Sequence, residues 1–256
     1  MNAESCLDGE IAVVFGGAGR IGKEAAAAFL REGASVLLVD GAADKLESAH
    51  KALRAEFPGK CEAFHIYIDS QKRAAELKDF IRATYGKVDI LLNAPAYISR
   101  APFLEHTIEE IDRQWQVNFC TVYMVSQELA RMMAERKSGK IINIASIGGI
   151  KPEKGHAGHC AVKAALIALS RVMALELAEH NIQVNVIAPG PTETRPFSST
   201  YYLEHPEALK DIEIKTPAGR IGAPQDHIGL IVFLASSRSD WITGQVILSD
   251  GGLGLT

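Results

Sequence analysis

Short apolar runs alternate with stretches of helical periodicity along the whole chain. Ile11–Phe15, Ser35–Val39, Glu62–Ile68, Val88–Leu92, Lys140–Ala145, Ile182–Ile187 and Gln245–Leu248 read as strands. Between them, apolar residues recur at helical spacing over Ile21–Glu32, Ala43–Glu56, Gln71–Thr84, Ile108–Arg136, Gly158–Glu179 and Gln225–Ser236. Such alternation predicts a parallel sheet with helices on both faces. Right-handed crossovers then wind it into an α/β, Rossmann-type doubly wound sheet of about seven strands. No linker or internal repeat interrupts the pattern, so residues 1–256 are expected to form a single domain. The one irregular stretch, Pro191–Pro217, is rich in Pro, Ser and Tyr and is expected to be a mobile substrate lid.

Composition narrows the functional classes. The chain is 47% hydrophobic and 23% charged, which is ordinary for a globular protein. A net charge of −4 with no basic stripe argues against a nucleic-acid partner. No apolar run spans a membrane, and the acidic, polar Met1–Glu10 carries no signal-peptide pattern. The cysteines at 6, 61, 120 and 160 match neither a zinc nor a redox spacing. Free thiols fit a reducing compartment, so a cytoplasmic location is expected.

The first strand runs into Gly16-Gly-Ala-Gly-Arg20-Ile21-Gly22 and opens the first helix. Glycines there allow a tight turn and close approach of a pyrophosphate to the helix N-terminus. In this strand–turn–helix context the cluster points to a dinucleotide. Asp40 ends the second strand, eighteen residues after Gly22. A carboxylate there can bind a ribose diol and repel a 2′-phosphate, which favours NAD(H). The competing reading of Asp40 is a helix or turn cap. Arg20 could pair with a phosphate, which keeps NADP(H) open.

A second cluster lies between Ser146 and Lys163. Positions 159 and 163 are one turn apart on a helix face, so the Lys163 ammonium lies beside whatever occupies 159. That residue is His159. With the Ser146 hydroxyl, the set has the makings of a proton-transfer site.

These motifs, in this order, resemble the classical short-chain dehydrogenase/reductase family, including its 3-oxoacyl-carrier-protein reductase-like members, from about Gly9 to Gly252. In the family's Thr-Gly-x-x-x-Gly-x-Gly motif, Phe15 replaces the threonine and Arg20 the middle glycine, while Gly16 and Gly22 match. The family's Asn-Asn-Ala-Gly appears as Asn93-Ala94-Pro95-Ala96. The acidic residue often found beside the adenine is replaced by Tyr67, with Ile68 next to it, and Asp69 is read as a helix cap. Asn118 matches the catalytic asparagine, Ser146 the serine and Lys163 the lysine. Pro189-Gly190 matches the turn after the sixth strand, and Thr194 the threonine that contacts the nicotinamide amide. His159 stands where the family has its catalytic tyrosine.

The resemblance implies an oxidoreductase that interconverts a small-molecule alcohol and ketone. It implies cofactor contacts at Gly16, Arg20, Ile21, Gly22, Asp40, Ile68, Asn93, Ala94, Lys163, Pro189 and Thr194. It also implies a homotetramer or homodimer formed through the long helices. In the family the tyrosine gives its proton to the carbonyl, the lysine lowers its pKa, the serine polarises the carbonyl and the asparagine holds a relay water. An imidazole is shorter than a phenol, and a neighbouring ammonium disfavours its protonated form. Neutral, it can still accept a proton from an alcohol. Three readings of His159 follow: a working acid/base, a lost reaction with binding retained, or, ranked last, an introduced replacement. A metal site from His156, His159 and Cys160 lacks a fourth ligand at a fitting spacing. Tyr97, Tyr201 and Tyr202 are candidate stand-in phenols, with packing or substrate contact the preferred reading, and Arg195 is a candidate contact for an anionic substrate.

Overall fold

The computed structural model describes residues 5–193 and 206–256. In chain order these form β1 (Ile11–Phe15), α1 (Arg20–Arg31), β2 (Ser35–Asp40), α2 (Ala43–Glu56), β3 (Cys61–His65), α3 (Gln71–Tyr85), β4 (Ile90–Asn93), α4 (Ile108–Trp115), α5 (Thr121–Arg136), β5 (Gly139–Ile144), α6 (Ala157–Leu177), β6 (Ile182–Pro189), α7 (Pro206–Lys215), α8 (Ile228–Ala235) and β7 (Val246–Ser249). The strands make one seven-stranded sheet in the order β3-β2-β1-β4-β5-β6-β7. Every pairing is parallel.

Because strand residues alternate sides, each strand feeds two cores. Val14, Leu38, Leu92 and Ile142 pack with Phe29 of α1, Leu46 and Leu53 of α2 and Ile231 and Leu234 of α8. Val13, Leu37, Leu91 and Ile141 pack on the other side with Leu77 and Ile81 of α3 and Leu129 and Met133 of α5. Strands covered on both faces explain the near-continuous apolar runs. The strand order reverses between β1 and β4, which opens a crevice beyond their carboxyl ends.

Several expected elements are corrected. Ile108–Arg136 is not one helix: the π-helical turn Gln116–Cys120 separates α4 from α5. The third strand stops at His65 rather than Ile68, because its only partner, β2, runs out at Asp40. The following Ile66 and Ile68 stay buried as irregular chain. The irregular stretch from Pro191 contains α7, so its described C-terminal half is helical. The helix read from Gln225 begins as a 3-10 turn over Pro224–His227. Asp69 does not cap α3; Ser70 is the N-cap, and its hydroxyl donates to Asp69 Oδ1.

Candidate active site

The site is built where β1 and β4 diverge. The Ala94 N–H donates to the Phe15 carbonyl, tying the two strand ends together. Gly16 then turns with φ +83, and a Cβ there would lie 2.5 Å from the Ala94 carbonyl carbon. A Cβ on Gly22 would lie 2.4 Å from the Gly16 carbonyl oxygen. Only glycine fits either place. The N-cap of α1, Gly19, has no capping side chain, and no acid lies in the first turn. The amides of that turn therefore offer an uncapped anion seat.

From this seat a cavity of about 1860 Å³ runs along the carboxyl edge of the sheet. Gly16, Arg20, Ile21, Gly22, Asp40, Ile68, Ala94, Ser146, His159, Lys163 and Pro189 all line it. At one end Asp40 is engaged at both oxygens. Oδ2 accepts from the Ala18 N–H at 3.1 Å and Oδ1 from the Ala42 N–H at 2.9 Å. The carboxylate thus braces the phosphate loop and the start of α2 while bordering the cavity, so its capping and ligand readings coexist. Arg20 reaches across the cleft and donates from Nη1 to the Glu193 carbonyl at 3.0 Å.

At the other end α6 carries His159 and Lys163 on one face. The Lys163 Nζ donates to the Ile144 carbonyl at 2.8 Å, at the end of β5. Burial pushes its ammonium down to about 8. His159 is 9% exposed. Burial first, then the Lys163 charge and the His156 ring, push its imidazole down to about 3. Its Nδ1 is sealed from solvent with no hydrogen-bond partner among the described residues, which leaves Nε2 as the nitrogen for a ligand in the cavity His159 lines. The Ser146 hydroxyl caps the turn Ile147–Gly149 and accepts from the Gly148 N–H at 3.1 Å. It can still donate into the cavity. Gly148 sits between the two groups: a Cβ there would lie 3.5 Å from both Ser146 Oγ and His159 Cδ2.

Two sequence-nominated residues stand behind the cavity wall. Asn118, in the π-helical turn, is fully buried. Its Nδ2 donates to the Tyr97 carbonyl at 2.7 Å and its Oδ1 accepts from the Tyr97 N–H at 2.9 Å. Asn93 turns into the core and donates to Ser126 Oγ and Asn143 Oδ1, which leaves its own Oδ1 buried without a partner among the described residues. Tyr97 borders the cavity, but its hydroxyl donates to Glu110 at 2.7 Å and its ring lies under the Arg113 guanidinium. Cys160 is buried against Gly148, as a small apolar group would be. Thr194, Arg195, Tyr201 and Tyr202 lie outside the described residues. Residues not nominated as site residues also meet the cavity: Lys151 and Glu153 before α6, and Lys215 at the end of α7. Their loops and termini carry no periodic signal. Among the described residues, no group of three or more His, Cys, Asp or Glu is placed to hold a metal.

The uncapped amides at α1, the carboxylate closing β2 and the length of the cleft fit a nicotinamide dinucleotide. They define a dinucleotide-binding protein of the Rossmann type. The family model described as enoyl-(acyl carrier protein) reductase matches residues 16–254. The 3-oxoacyl-[acyl-carrier-protein] reductase of Thermotoga maritima is 33% identical, over 96% of this chain and 98% of the relative. The 5-keto-D-gluconate 5-reductase of Escherichia coli K12 is 36% identical, over 99% and 98%. A solved gluconate 5-dehydrogenase from Burkholderia cenocepacia, in complex with NADP and tartrate, superposes with TM-score 0.92 at 30% identity, covering 99% and 98%. The chain belongs to the classical short-chain dehydrogenase/reductase family and is an oxidoreductase of that family.

Proposed function

We propose that this chain interconverts a small-molecule alcohol and ketone with a nicotinamide dinucleotide, using Asn118, Ser146, His159 and Lys163. The observation that carries this reading is one continuous cavity holding both the phosphate loop and Ser146, His159 and Lys163. When bound, the dinucleotide exchanges a hydride with the substrate carbon. The Ser146 hydroxyl orients and polarises the substrate oxygen. His159 Nε2 takes the proton of the alcohol. Burial first, and then Lys163 anchored to Ile144, keep the imidazole neutral and able to accept. Asn118 holds the Tyr97 backbone, which shapes the substrate side of the cleft. A neutral imidazole can accept the alcohol proton, but one held down to about 3 is a weak base, and the ratio of forward to reverse rates stays fixed by the equilibrium of the reaction.

NAD(H) is the preferred partner, because Asp40 lies where a 2′-phosphate would meet a carboxylate. NADP(H) is the alternative, supported by the NADP of the Burkholderia relative and by Arg20. Lys151 and Lys215 at the substrate end, together with the gluconate relatives, put polyhydroxy acids at the head of the substrate panel. Residues 191–217 form the substrate lid, supported by Ile212 and Lys215 bordering the cavity. The active form is a homotetramer or homodimer in the cytoplasm. Supporting the assembly, Trp115, Phe119 and Tyr123 form a row with ring centroids 4.9 and 6.4 Å apart, and Trp115 and Tyr123 are exposed. No helix among the described residues is long and apolar enough to cross a membrane.

Cofactor fluorescence and a panel of alcohols and ketones test the reading. NADH binding with turnover of an alcohol supports it. Absence of any NADH or NADPH binding at millimolar concentration overturns it. The second reading, a dinucleotide-binding protein that has lost its reaction, is favoured by the unpartnered Nδ1 of His159. Binding without turnover selects it.

A further inference from the structure

We propose that His156 and Glu153 relay to solvent the proton that His159 takes from the substrate. The proposal rests on the oxidoreductase reading above. His156 is the N-cap of α6, three residues before His159, and the two rings lie edge to face with centroids 6.0 Å apart. The His156 Nδ1 faces Glu153 Oε2 at 3.2 Å. The side chain of His156 is 14% exposed and that of Glu153 is 53% exposed. Glu153, His156 and His159 therefore form a file of titratable groups of decreasing exposure running in to the substrate cleft. All three line the same cavity.

Electrostatics gives the file a direction. A proton on His159 is buried beside the Lys163 ammonium. A proton on His156 lies against a carboxylate. The Glu153 carboxyl is itself held below its usual range, first by His156 and also by Arg100 and Lys215. It therefore remains ionised and ready to stabilise an imidazolium. A cavity water between the two rings would carry the proton from one to the other.

The substrate C–H hydride goes to the nicotinamide and the O–H proton to His159 Nε2. That proton then passes through cavity water to His156 Nε2, while the His156 Nδ1–H points at Glu153. The imidazolium gives its Nδ1 proton through the Glu153 carboxylate to bulk solvent, exchange with water returns His156 to its Nδ1–H tautomer, and His159 is again neutral. Asn118 is fully buried and both its polar atoms are engaged by the Tyr97 backbone, so it lies behind the cavity wall rather than in the file.

The test uses His156→Gln and Glu153→Gln in the full chain. Both should lower kcat for alcohol oxidation tenfold or more with little change in cofactor affinity. Imidazole added to the buffer should restore much of the His156→Gln loss, and the loss should deepen at low pH. An unchanged kcat and pH profile in His156→Gln, without imidazole rescue, overturns the relay. A second readout does not depend on turnover. The NMR titration of the Glu153 carboxyl, held low first by its hydrogen bond to His156, should move to higher pH in His156→Gln. If no alcohol is turned over by the unmodified protein, the oxidoreductase reading fails. A Glu153 titration that ignores the substitution overturns the coupling itself.

Discussion

Lys163 and His159 lie one turn apart on the same face of α6, with the ammonium fixed on the Ile144 carbonyl and the imidazole held unprotonated beside it. An acid/base poised this way is asymmetric. It can receive a proton over nearly the whole working pH range and is almost never charged with one.

The asymmetry predicts two unlike pH profiles. With the His159 imidazole down to about 3, the base form dominates from weakly acidic pH upward, so alcohol oxidation should show no limb from His159 itself between about pH 5 and 7. Ketone reduction needs the imidazolium, which is scarce at pH 7, and should fall about tenfold per pH unit. Initial rates in both directions check this. An acid limb near pH 6.5 in oxidation that persists in His156→Gln would contradict it.

Replacing His159 by tyrosine should raise ketone reduction by about 10²-fold or more, because a phenol beside an ammonium is a competent donor at neutral pH. Cofactor affinity should change little, since the phosphate loop and Asp40 lie at the other end of the cavity. If oxidation by the unmodified protein is measurable and His159→Ala removes it, the histidine is working chemistry rather than a relic.

The same burial predicts an acid-sensitive fold. The unfolded chain protonates this histidine near pH 6.5, whereas the folded one resists until about 3. Between these values the unfolded state binds more protons. This contribution to stability is complete above about pH 6.5 and is lost as pH falls towards 3. By pH 5 it amounts to about 2 kcal/mol. His159→Phe should therefore lose less stability than the unmodified chain between pH 7 and pH 5 in urea titrations. Equal losses would mean that the imidazole is solvated.

Asp40→Asn removes one of two acceptors, because an amide nitrogen cannot accept from Ala18 or Ala42. Leaving one amide unpaired should cost about 1–3 kcal/mol. Loss of the negative charge should shift preference from NAD(H) towards NADP(H), read as the ratio of kcat/KM values for the two cofactors. No shift in that ratio would remove Asp40 from cofactor selection.

Much of the fold was legible because buried parallel strands leave unmistakable apolar runs, and the phosphate loop because glycines cannot be exchanged where backbone meets backbone. The π-helical turn was not legible. One extra residue in a turn leaves the periodicity of Ile108–Arg136 nearly intact while turning everything beyond it. Nor could the pattern say where Asn93 and Asn118 point, since a polar residue at the end of a strand or inside a helix reads the same whether it faces a cleft or a backbone. The partnership of His156 with Glu153 was hidden for a different reason: it joins a helix cap to a loop, where no spacing rule applies.

The wide turn at Gln116–Cys120 carries its own consequence. Removing a single residue there would let the chain close into an ordinary α-helix and would rephase Asn118 against its neighbours. Asn118 would then be carried off the Tyr97 amide and the Trp115–Phe119–Tyr123 row broken up, so a one-codon deletion far from His159 would strike the substrate wall and the exposed aromatic surface together.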